Sequence, residues 1–436
     1  MSDTKTGDKP AQGYRGQRTR GSLTGLLRAV SDVIDQRSVR SVYQPLMDLQ
    51  TGEVVGYEAL ARGPIGSLVE SPLELFAAAE TIGRTVELDW VCRAAAYRGA
   101  LKAGLDPSLT LFVNNEPTAL GTPCPDDLLP AVTAAEAGLR IVSEMTERAL
   151  ATDPAELLAA VARARAVGWG VALDDVGTEP ASLAFMPFVR PDVVKLDLRL
   201  IQARTDGEIA RIVNAVLAET EASGATILAE GIETERHLAV ALSMGATVGQ
   251  GWLWGRPDVL PAVMPSVQRS IPLISSPGLA PGRTPYDVVT AQRPVGRSTK
   301  QLLLPMSNHI EGKGLDVADP MLVLACFQDA RHFTPATQLR YATLAERATF
   351  VAAVGTGMPD APMPGVRGAA LTEDDPLRGE WDVIVVGAHF AAALVARDLG
   401  DTRPDQERRF DFAITHDRAL VIEAAASLLA RISPLP

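Results

Sequence analysis

Carboxylate and amide side chains recur at the ends of successive apolar, β-rich segments in the first 260 residues. Hard oxygen ligands of this kind select Mg²⁺ or Mn²⁺ rather than Zn²⁺. Several carboxylates in one cavity would raise one another's pKa unless cations neutralised them, and two divalent ions ~3.5–4 Å apart are the usual solution. The pattern predicts a two-ion site in which the adjacent Asp174 and Asp175 bridge or share the ions. Its predicted members are Glu58, Asn114, Glu144, Asp174 and Asp175.

Two basic residues and one further acid could take part, with the predicted metal site, in a reaction at a phosphorus atom. Lys195 and Arg62 could stabilise phosphate charge, and Glu230 could accept a proton from water. No histidine precedes His237, so imidazole cannot supply several ligands to this site. The reaction class predicted is metal-assisted phosphoester hydrolysis. A structural salt bridge between Lys195 and Asp197 is the competing interpretation of that pair.

Eight β-rich runs position these residues. They are predicted at 42–49, 53–62, 109–115, 139–146, 169–177, 192–198, 225–233 and 247–255. The three residues Gln50–Gly52 between the first two runs make them an antiparallel hairpin, whereas the intervening helical segments elsewhere favour a parallel sheet. An open doubly wound sheet would spread the polar residues along an edge, but a barrel gathers them on one face. The pattern therefore favours a TIM-like (β/α)₈ barrel with an antiparallel first strand.

A smaller α/β domain is predicted after the barrel. Residues 1–21 are interpreted as a disordered tail, 22–265 as the barrel, 266–283 as a linker rich in Pro, Ser and Gly, and 284–436 as the second domain. Strands are expected there at 321–327, 348–355, 382–390 and 411–417, with helices at 298–314 and 419–432, and residues 358–380 as a long loop.

The amino-acid composition argues against some classes of binding partner and some cellular locations. A net charge of −12 disfavours affinity for nucleic-acid polymers or anionic membranes. The three cysteines are far apart and fit a reducing cytosol. The sequence contains neither a signal peptide nor an apolar run long enough to cross a bilayer, so a cytoplasmic protein is expected.

Eight ordered blocks in residues 38–262 resemble the EAL-domain phosphodiesterases, which hydrolyse cyclic di-GMP. The blocks are YQPLMDL (43–49), GYEALAR (56–62), LFVNNEP (111–117), SEMTE (143–147), DDVGT (174–178), VVKLD (193–197), AEGIETE (229–235) and GQGWLWGRP (249–257). The resemblance implies that the product is linear pGpG, that two Mg²⁺ or Mn²⁺ ions serve as cofactors, and that the chain forms a homodimer.

The resemblance also implies a role for each matching residue. Glu58, Asn114, Glu144 and Asp174 match ligands of the first metal, and Asp174 and Asp175 match ligands of the second. Lys195 and Glu230 match the catalytic lysine and general base, and Glu147 matches the anchor of the loop after the double aspartate. The implied substrate-binding residues are Gln44, Arg62, Asp197, Glu233 and Gln250.

One loop departs from the family pattern. The family's Asp-Asp-Phe-Gly-Thr-Gly-Tyr-Ser-Ser is replaced here by DDVGTEPAS, residues 174–182. Glu179 removes easy access to positive φ, and Pro180 restricts the residue before it. We expect a different loop path with catalysis retained, because every residue predicted to hold a metal is present.

Residues 284–436 resemble the DICT sensory domain, which implies signal input from an unknown ligand. The stretches that carry this resemblance are TPYDVV (284–289), STKQLLLPMSNHIE (298–311), LACFQDARHFTPATQLRYATLAERATFVAAVG (324–355) and WDVIVVGAHFAAALVARD (381–398). The leading hypothesis is a cyclic di-GMP phosphodiesterase regulated by this domain. A catalytically inactive cyclic di-GMP receptor and a signalling scaffold are the alternatives.

Overall fold

The computed structural model describes residues 15–116, 119, 121–146, 153–178, 182–274, 282–316 and 320–432. The first sheet is a closed barrel of eight strands in the order β1 to β8. Its strands are β1 (Arg40–Asp48), β2 (Val54–Arg62), β3 (Thr110–Asn114), β4 (Arg140–Thr146), β5 (Gly170–Val176), β6 (Val193–Leu196), β7 (Thr226–Ala229) and β8 (Val248–Gly249).

Helices separate most of these strands and cover the barrel. They are α1 (Arg15–Asp35), α2 (Pro72–Thr81), α3 (Thr85–Lys102), α4 (Leu129–Gly138), α5 (Pro154–Ala166), α6 (Ser182–Val189), α7 (Leu198–Gln202), α8 (Gly207–Ser223) and α9 (Glu235–Ser243). β1 is antiparallel to both β2 and β8, and the remaining neighbours are parallel. The predicted barrel with an antiparallel first strand is confirmed.

Apolar side chains fill the barrel interior below the polar strand ends. Leu46, Phe112, Val142 and Leu228 are all 0% exposed in this inner cluster. The cluster also contains Ile271, which is 3% exposed and comes from the segment predicted as a linker. The first part of that segment is therefore a structural part of the barrel floor, whereas residues 275–281 lie outside the described residues.

Asp192 fixes this segment to the floor. Its buried carboxylate accepts hydrogen bonds from the backbone N–H groups of Val171 and Ile274 and pairs with Arg165. A fully buried carboxylate needs such partners to offset its lost hydration. The segment that ends at Ile274 is thus attached to the amino-terminal end of the barrel.

A second sheet of seven strands follows, in the order β12-β11-β10-β13-β14-β15-β9. Its strands are β9 (Gly296–Thr299), β10 (Met321–Asp329), β11 (Phe350–Thr356), β12 (Arg367–Ala370), β13 (Glu380–Gly387), β14 (Ala391–Asp398) and β15 (Arg409–Thr415). The helices are α10 (Pro285–Thr290), α11 (Lys300–Asp316), α12 (Pro335–Ala345) and α13 (Arg418–Leu429). The predicted smaller α/β domain is confirmed.

Three of these strands were not predicted from the sequence. β9 is short and polar, and β14 is rich in alanine, which favours helices. β12 lies within residues 358–380, which were predicted to be a loop. In each case pairing with a neighbouring strand outweighs the weak local signal.

The second sheet packs against the barrel through α6. The described side chains of this helix are apolar, and Leu183, Ala184, Met186 and Val189 are at most 2% exposed. Phe185 meets Phe350 of β11 edge to face, with ring centroids 5.3 Å apart. Such all-round burial explains why the helix lacks a polar face. Among the described residues, no helix is long and apolar enough to cross a membrane.

Candidate active site at the carboxyl ends of the barrel strands

Lys195 on β6 stands at the centre of an acidic cluster. Its Nζ lies 2.5 Å from Glu144 Oε1, 2.9 Å from Glu230 Oε1, 3.0 Å from Asp174 Oδ1 and 3.6 Å from Glu58 Oε1. Lys195 and Glu144 are each 1% exposed. Four carboxylates from four different strand ends thus converge on one ammonium group. The expected gathering of these distant residues is present.

The carboxylates form two overlapping triads. Ligand oxygens of Glu58, Glu144 and Asp174 lie within 4.8 Å of one another, and so do those of Asp174, Asp175 and Glu230. Asp174 belongs to both triads. Two adjacent groups of oxygens with a shared carboxylate match the arrangement that two divalent cations require.

Amide side chains orient Glu58. Gln250 Nε2 donates to Glu58 Oε2 at 2.6 Å and to Gln44 Oε1 at 3.0 Å. Asn114 Nδ2 donates to Glu58 Oε1 at 3.2 Å. Gln44 and Glu58 are opposite each other in the β1–β2 register, and the Gln44 amide also donates to the Gly255 carbonyl. This network holds one carboxylate in place from three strands.

The protonation of the cluster follows from its burial. Burial raises the pKa of Glu144 well above its usual range, and the neighbouring Glu58 raises it further. Burial also raises the pKa of Glu230 to about 8, although Lys195 opposes the shift. Burial alone would lower the pKa of Lys195, but Asp174 and the other carboxylates raise it well above its ordinary value. One ammonium does not balance all of these acids, so the cluster favours further positive charge.

A second observation, on the carboxylate oxygens of Glu144, also indicates that this site suits divalent cations. Both carboxylate oxygens of Glu144 are buried. Lys195 Nζ lies 2.5 Å from Oε1, and no described residue donates a hydrogen bond to Oε2. Buried carboxylate oxygens without donors are costly unless a cation satisfies them. The donor set is carboxylate and amide oxygen, which suits Mg²⁺ or Mn²⁺.

Asp175 has an unusual backbone. Its φ is +57°, and burial followed by the charge of Asp174 raises the pKa of its carboxyl. Thr178 donates from its backbone N–H and its hydroxyl to the Asp175 carbonyl, at 3.1 and 2.7 Å. Gly177 has φ +107°, and a Cβ there would lie 2.6 Å from Leu200 Cδ1. The turn after the double aspartate is therefore tightly held up to Thr178, and Glu179, Pro180 and Ala181 lie outside the described residues.

The other predicted site residues differ in their burial and in their contacts. Arg62 is half-buried, and burial lowers the pKa of its guanidinium while the charge of Glu58 opposes this shift. Asp197 caps α7 and pairs with Arg199 at 2.8 Å rather than with Lys195. Glu233 is exposed and lies outside the contacts described above. Glu147 lies outside the described residues.

A buried ion pair beside the site was not predicted from the sequence. Asp89 and Arg93 on α3 are 3% and 1% exposed and lie 2.7 Å apart. Asp89 also accepts from the Glu116 backbone N–H at 3.0 Å, which fixes the segment just after Asn114. Their opposite charges at a spacing of four residues on one helix were the available signal.

Comparison with known proteins agrees with the geometry. Residues 27–257 match the EAL domain model, and residues 287–399 match the model described as a sensory domain in diguanylate cyclases and two-component systems (DICT). An uncharacterised protein of Azorhizobium caulinodans is 33% identical over 52% of this chain and 33% of its own length. The cyclic di-GMP phosphodiesterase RocR of Pseudomonas aeruginosa is 29% identical over 53% of this chain and 61% of its own.

A similar solved structure is the Klebsiella pneumoniae BlrP1 complex with manganese and cyclic di-GMP, at 28% identity and TM-score 0.45 over 51% of this chain and 56% of that one. This chain spans only between about a third and three-fifths of the length of the two curated relatives named above. The EAL model alone covers more than half of the 436 residues. The chain belongs to the EAL domain family.

Proposed function

We propose that this protein hydrolyses cyclic di-GMP to linear pGpG with the help of two Mg²⁺ or Mn²⁺ ions. The observation that carries the proposal is the pair of acidic triads that share Asp174 around the Lys195 ammonium. Family membership supports the substrate, because the related RocR is named a cyclic di-GMP phosphodiesterase.

The carboxylate oxygens of both triads, apart from those of Glu230, would hold the cations together with the amide oxygen of Asn114. Glu58, Asn114, Glu144 and Asp174 are the proposed ligands of one ion, and Asp174 and Asp175 of the other. When bound, the ions supply charge neutralisation and lower the pKa of water, so that hydroxide is available near neutral pH.

The chain's own residues would then position the substrate and move the proton. Glu230 is the proposed general base, within reach of Lys195 at 2.9 Å. Lys195 would stabilise negative charge on the phosphate as the attacking oxygen adds. Gln44, Arg62, Asp197, Glu233 and Gln250 are the proposed substrate contacts, and Glu147 the proposed loop anchor.

Regulation by the C-terminal domain is supported by the position of α6. This helix begins only a few residues after Asp175 and Thr178, and its Phe185 contacts Phe350 of the second sheet. A change in the second domain can therefore reach the double aspartate through one short, fully packed helix.

A cyclic di-GMP receptor without turnover is the second candidate. The altered residues after Thr178 and the positive φ of Asp175 favour it, because both bear on the second ion. A purified-protein assay that separates cyclic di-GMP, pGpG and GMP, with Mg²⁺ and Mn²⁺ tested singly, decides between them. Appearance of pGpG supports the phosphodiesterase, whereas tight binding without product under either cation supports the receptor.

Three further points belong to the proposal. The division into a tail, a barrel, a linker and a sensory domain at 284–436 is one, and its test is limited proteolysis. Two predicted bounds are moved, because α1 begins at Arg15, inside the predicted tail 1–21, and Ile271, inside the predicted linker 266–283, lies in the barrel floor. A homodimer is another, tested by sedimentation. A cytoplasmic location is the third, supported by three cysteines that are all free thiols, and its test is fractionation of the cells.

A further inference from the structure

Asn114 differs from the carboxylates that would share its metal ion, which we call the first ion. Glu58 and Glu144 are 6% and 1% exposed, whereas Asn114 ends β3 at an exposed position. Its side-chain amide donates to Glu58 Oε1 at 3.2 Å, but an exposed side chain has little packing around it. The position of the Asn114 amide therefore depends on the backbone that carries it. A metal ligand must be held within about 0.5 Å of its binding geometry, so contacts that fix this backbone should affect metal binding.

Helix α3 fixes the chain just after Asn114. Asp89 Oδ1 accepts a hydrogen bond from the Glu116 backbone N–H at 3.0 Å. The next residue of the helix, Trp90, donates from its indole N–H to Thr122 Oγ1 at 3.1 Å. The segment that follows β3 is thus held at two points by neighbouring residues of α3.

Asn115 joins the same backbone to β4. Its backbone N–H donates to the Glu144 carbonyl at 3.0 Å. Its side-chain amide, which is buried, donates to the Val113 carbonyl at 2.7 Å and to Ser143 Oγ at 2.8 Å. Asn114 and Glu144 are opposite each other in the parallel β3–β4 register. The contacts of Asn115 therefore help to fix the separation of two proposed ligands of the first ion.

A buried ion pair holds the Asp89 carboxylate. Asp89 Oδ2 lies 2.7 Å from Arg93 Nε, and the two side chains are 4% and 0% exposed. The Arg93 guanidinium lies over the Trp90 ring, 3.6 Å from its centre. Replacement of a buried ion pair by apolar residues is often neutral or even stabilising, so stability alone does not account for this pair. With Oδ2 beside Arg93, Oδ1 faces the Glu116 N–H.

We propose that Asp89, held by Arg93, is a positioning residue for the first ion. It fixes the backbone after Asn114, so that the Asn114 amide oxygen stays beside the carboxylates of Glu58 and Glu144. The inference rests on the metal site of the proposed function, but not on hydrolysis of any substrate. Loss of an outer contact of this kind commonly weakens metal binding by about 10- to 100-fold.

Two double variants of the full chain separate the hydrogen bond from the buried charge. Asp89→Asn with Arg93→Met keeps a side-chain acceptor for the Glu116 N–H. Asp89→Leu with Arg93→Met removes that acceptor, and neither double variant leaves a buried charge unpaired. Electron paramagnetic resonance of the unbound ion measures Mn²⁺ binding without substrate. We expect the asparagine variant to bind Mn²⁺ nearly as tightly as the unchanged protein, and the leucine variant to bind it at least about tenfold more weakly.

The comparison of the two double variants decides the proposal. General loosening of the fold would weaken Mn²⁺ binding in both alike, so equal affinities, whether both normal or both weak, overturn it. If the leucine variant does not fold, Ser143→Ala takes its place, because it removes an acceptor of the Asn115 amide. Weaker Mn²⁺ binding in Ser143→Ala supports the proposal, and unchanged binding overturns it. Failure of the unchanged protein to bind Mn²⁺ refutes the metal site itself, and the proposal with it.

Discussion

Lys195 Nζ and Glu144 Oε1 lie 2.5 Å apart in the barrel, where each residue is 1% exposed. This contact places a positive charge among carboxylates that would otherwise repel one another. Lys195 therefore has a structural role in the metal-free protein in addition to its proposed contact with phosphate.

Replacement of Lys195 by methionine should separate these two roles. We expect the metal-free variant to lose about 3 kcal/mol of unfolding free energy, because buried carboxylates lose their partner. Mg²⁺ should restore part of this stability but no activity. Denaturant unfolding with and without Mg²⁺ measures the first effect, and pGpG formation the second. Lys102→Met, at an exposed position, is the control. Full activity of Lys195→Met would contradict the assignment.

Glu58 and Glu230 should behave differently when each is changed to glutamine. Glu58 belongs to the triad with Glu144, so Glu58→Gln should weaken both metal binding and turnover. Glu230→Gln should lower turnover by about 10²- to 10⁴-fold, the usual contribution of a general base, while cyclic di-GMP still binds. Turnover assays beside calorimetry give the comparison. If Glu230→Gln keeps its rate, another group removes the proton.

The stability that Mg²⁺ adds to the protein should depend on pH because of the pKa of Glu230. Its pKa of about 8 in the folded protein lies above the ordinary value of 4.5. The stability that the protonated carboxyl contributes is therefore complete below about pH 4.5 and is lost as pH rises through 8. We expect the metal-free protein to lose stability between about pH 5 and 8, and the gain in Tm on adding Mg²⁺ to increase over that interval. The increase should be smaller in Glu230→Gln, and a constant gain would show that Glu230 does not titrate there.

Two substitutions of Asp175 distinguish the effect of its backbone conformation from the effect of its carboxylate charge. Its φ of +57° suits asparagine better than alanine, because a left-handed residue with an ordinary side chain costs about 1–2 kcal/mol. Asp175→Asn and Asp175→Ala both remove the carboxylate, so both should lose most turnover. The alanine variant should also be about 1 kcal/mol less stable than the asparagine variant in urea unfolding. Equal stabilities would mean that the strand end relaxes when the side chain changes.

The strand-end acids were predictable because a parallel barrel brings every carboxyl end to one face. The positions of Glu58, Glu144 and Asp174 along apolar runs were enough to predict them as site residues. The role of Ile271 was not predictable, because a Pro- and Ser-rich segment gives no local sign that it covers a barrel floor. The cap function of Asp197 was missed for a related reason, since the chain turns into α7 directly after β6 and the side chain serves its own helix. Local patterns specify strands and their ends, whereas contacts between distant segments depend on the assembled fold.

The contact between Phe185 and Phe350 should transmit the state of the second domain to the active site. Phe350 is 6% exposed, so Phe350→Ala should cost about 3–5 kcal/mol of stability, whereas Phe350→Leu keeps most of the volume and loses the edge-to-face geometry. We expect Phe350→Leu to change turnover at least threefold in either direction with Mg²⁺ binding to the first triad intact. Phe333→Leu is the matched control, since Phe333 is an equally buried aromatic residue in the other core of the same domain. If both leucine variants alter turnover alike, general loosening of the domain explains the effect. If only Phe350→Leu does so, the signal passes through α6.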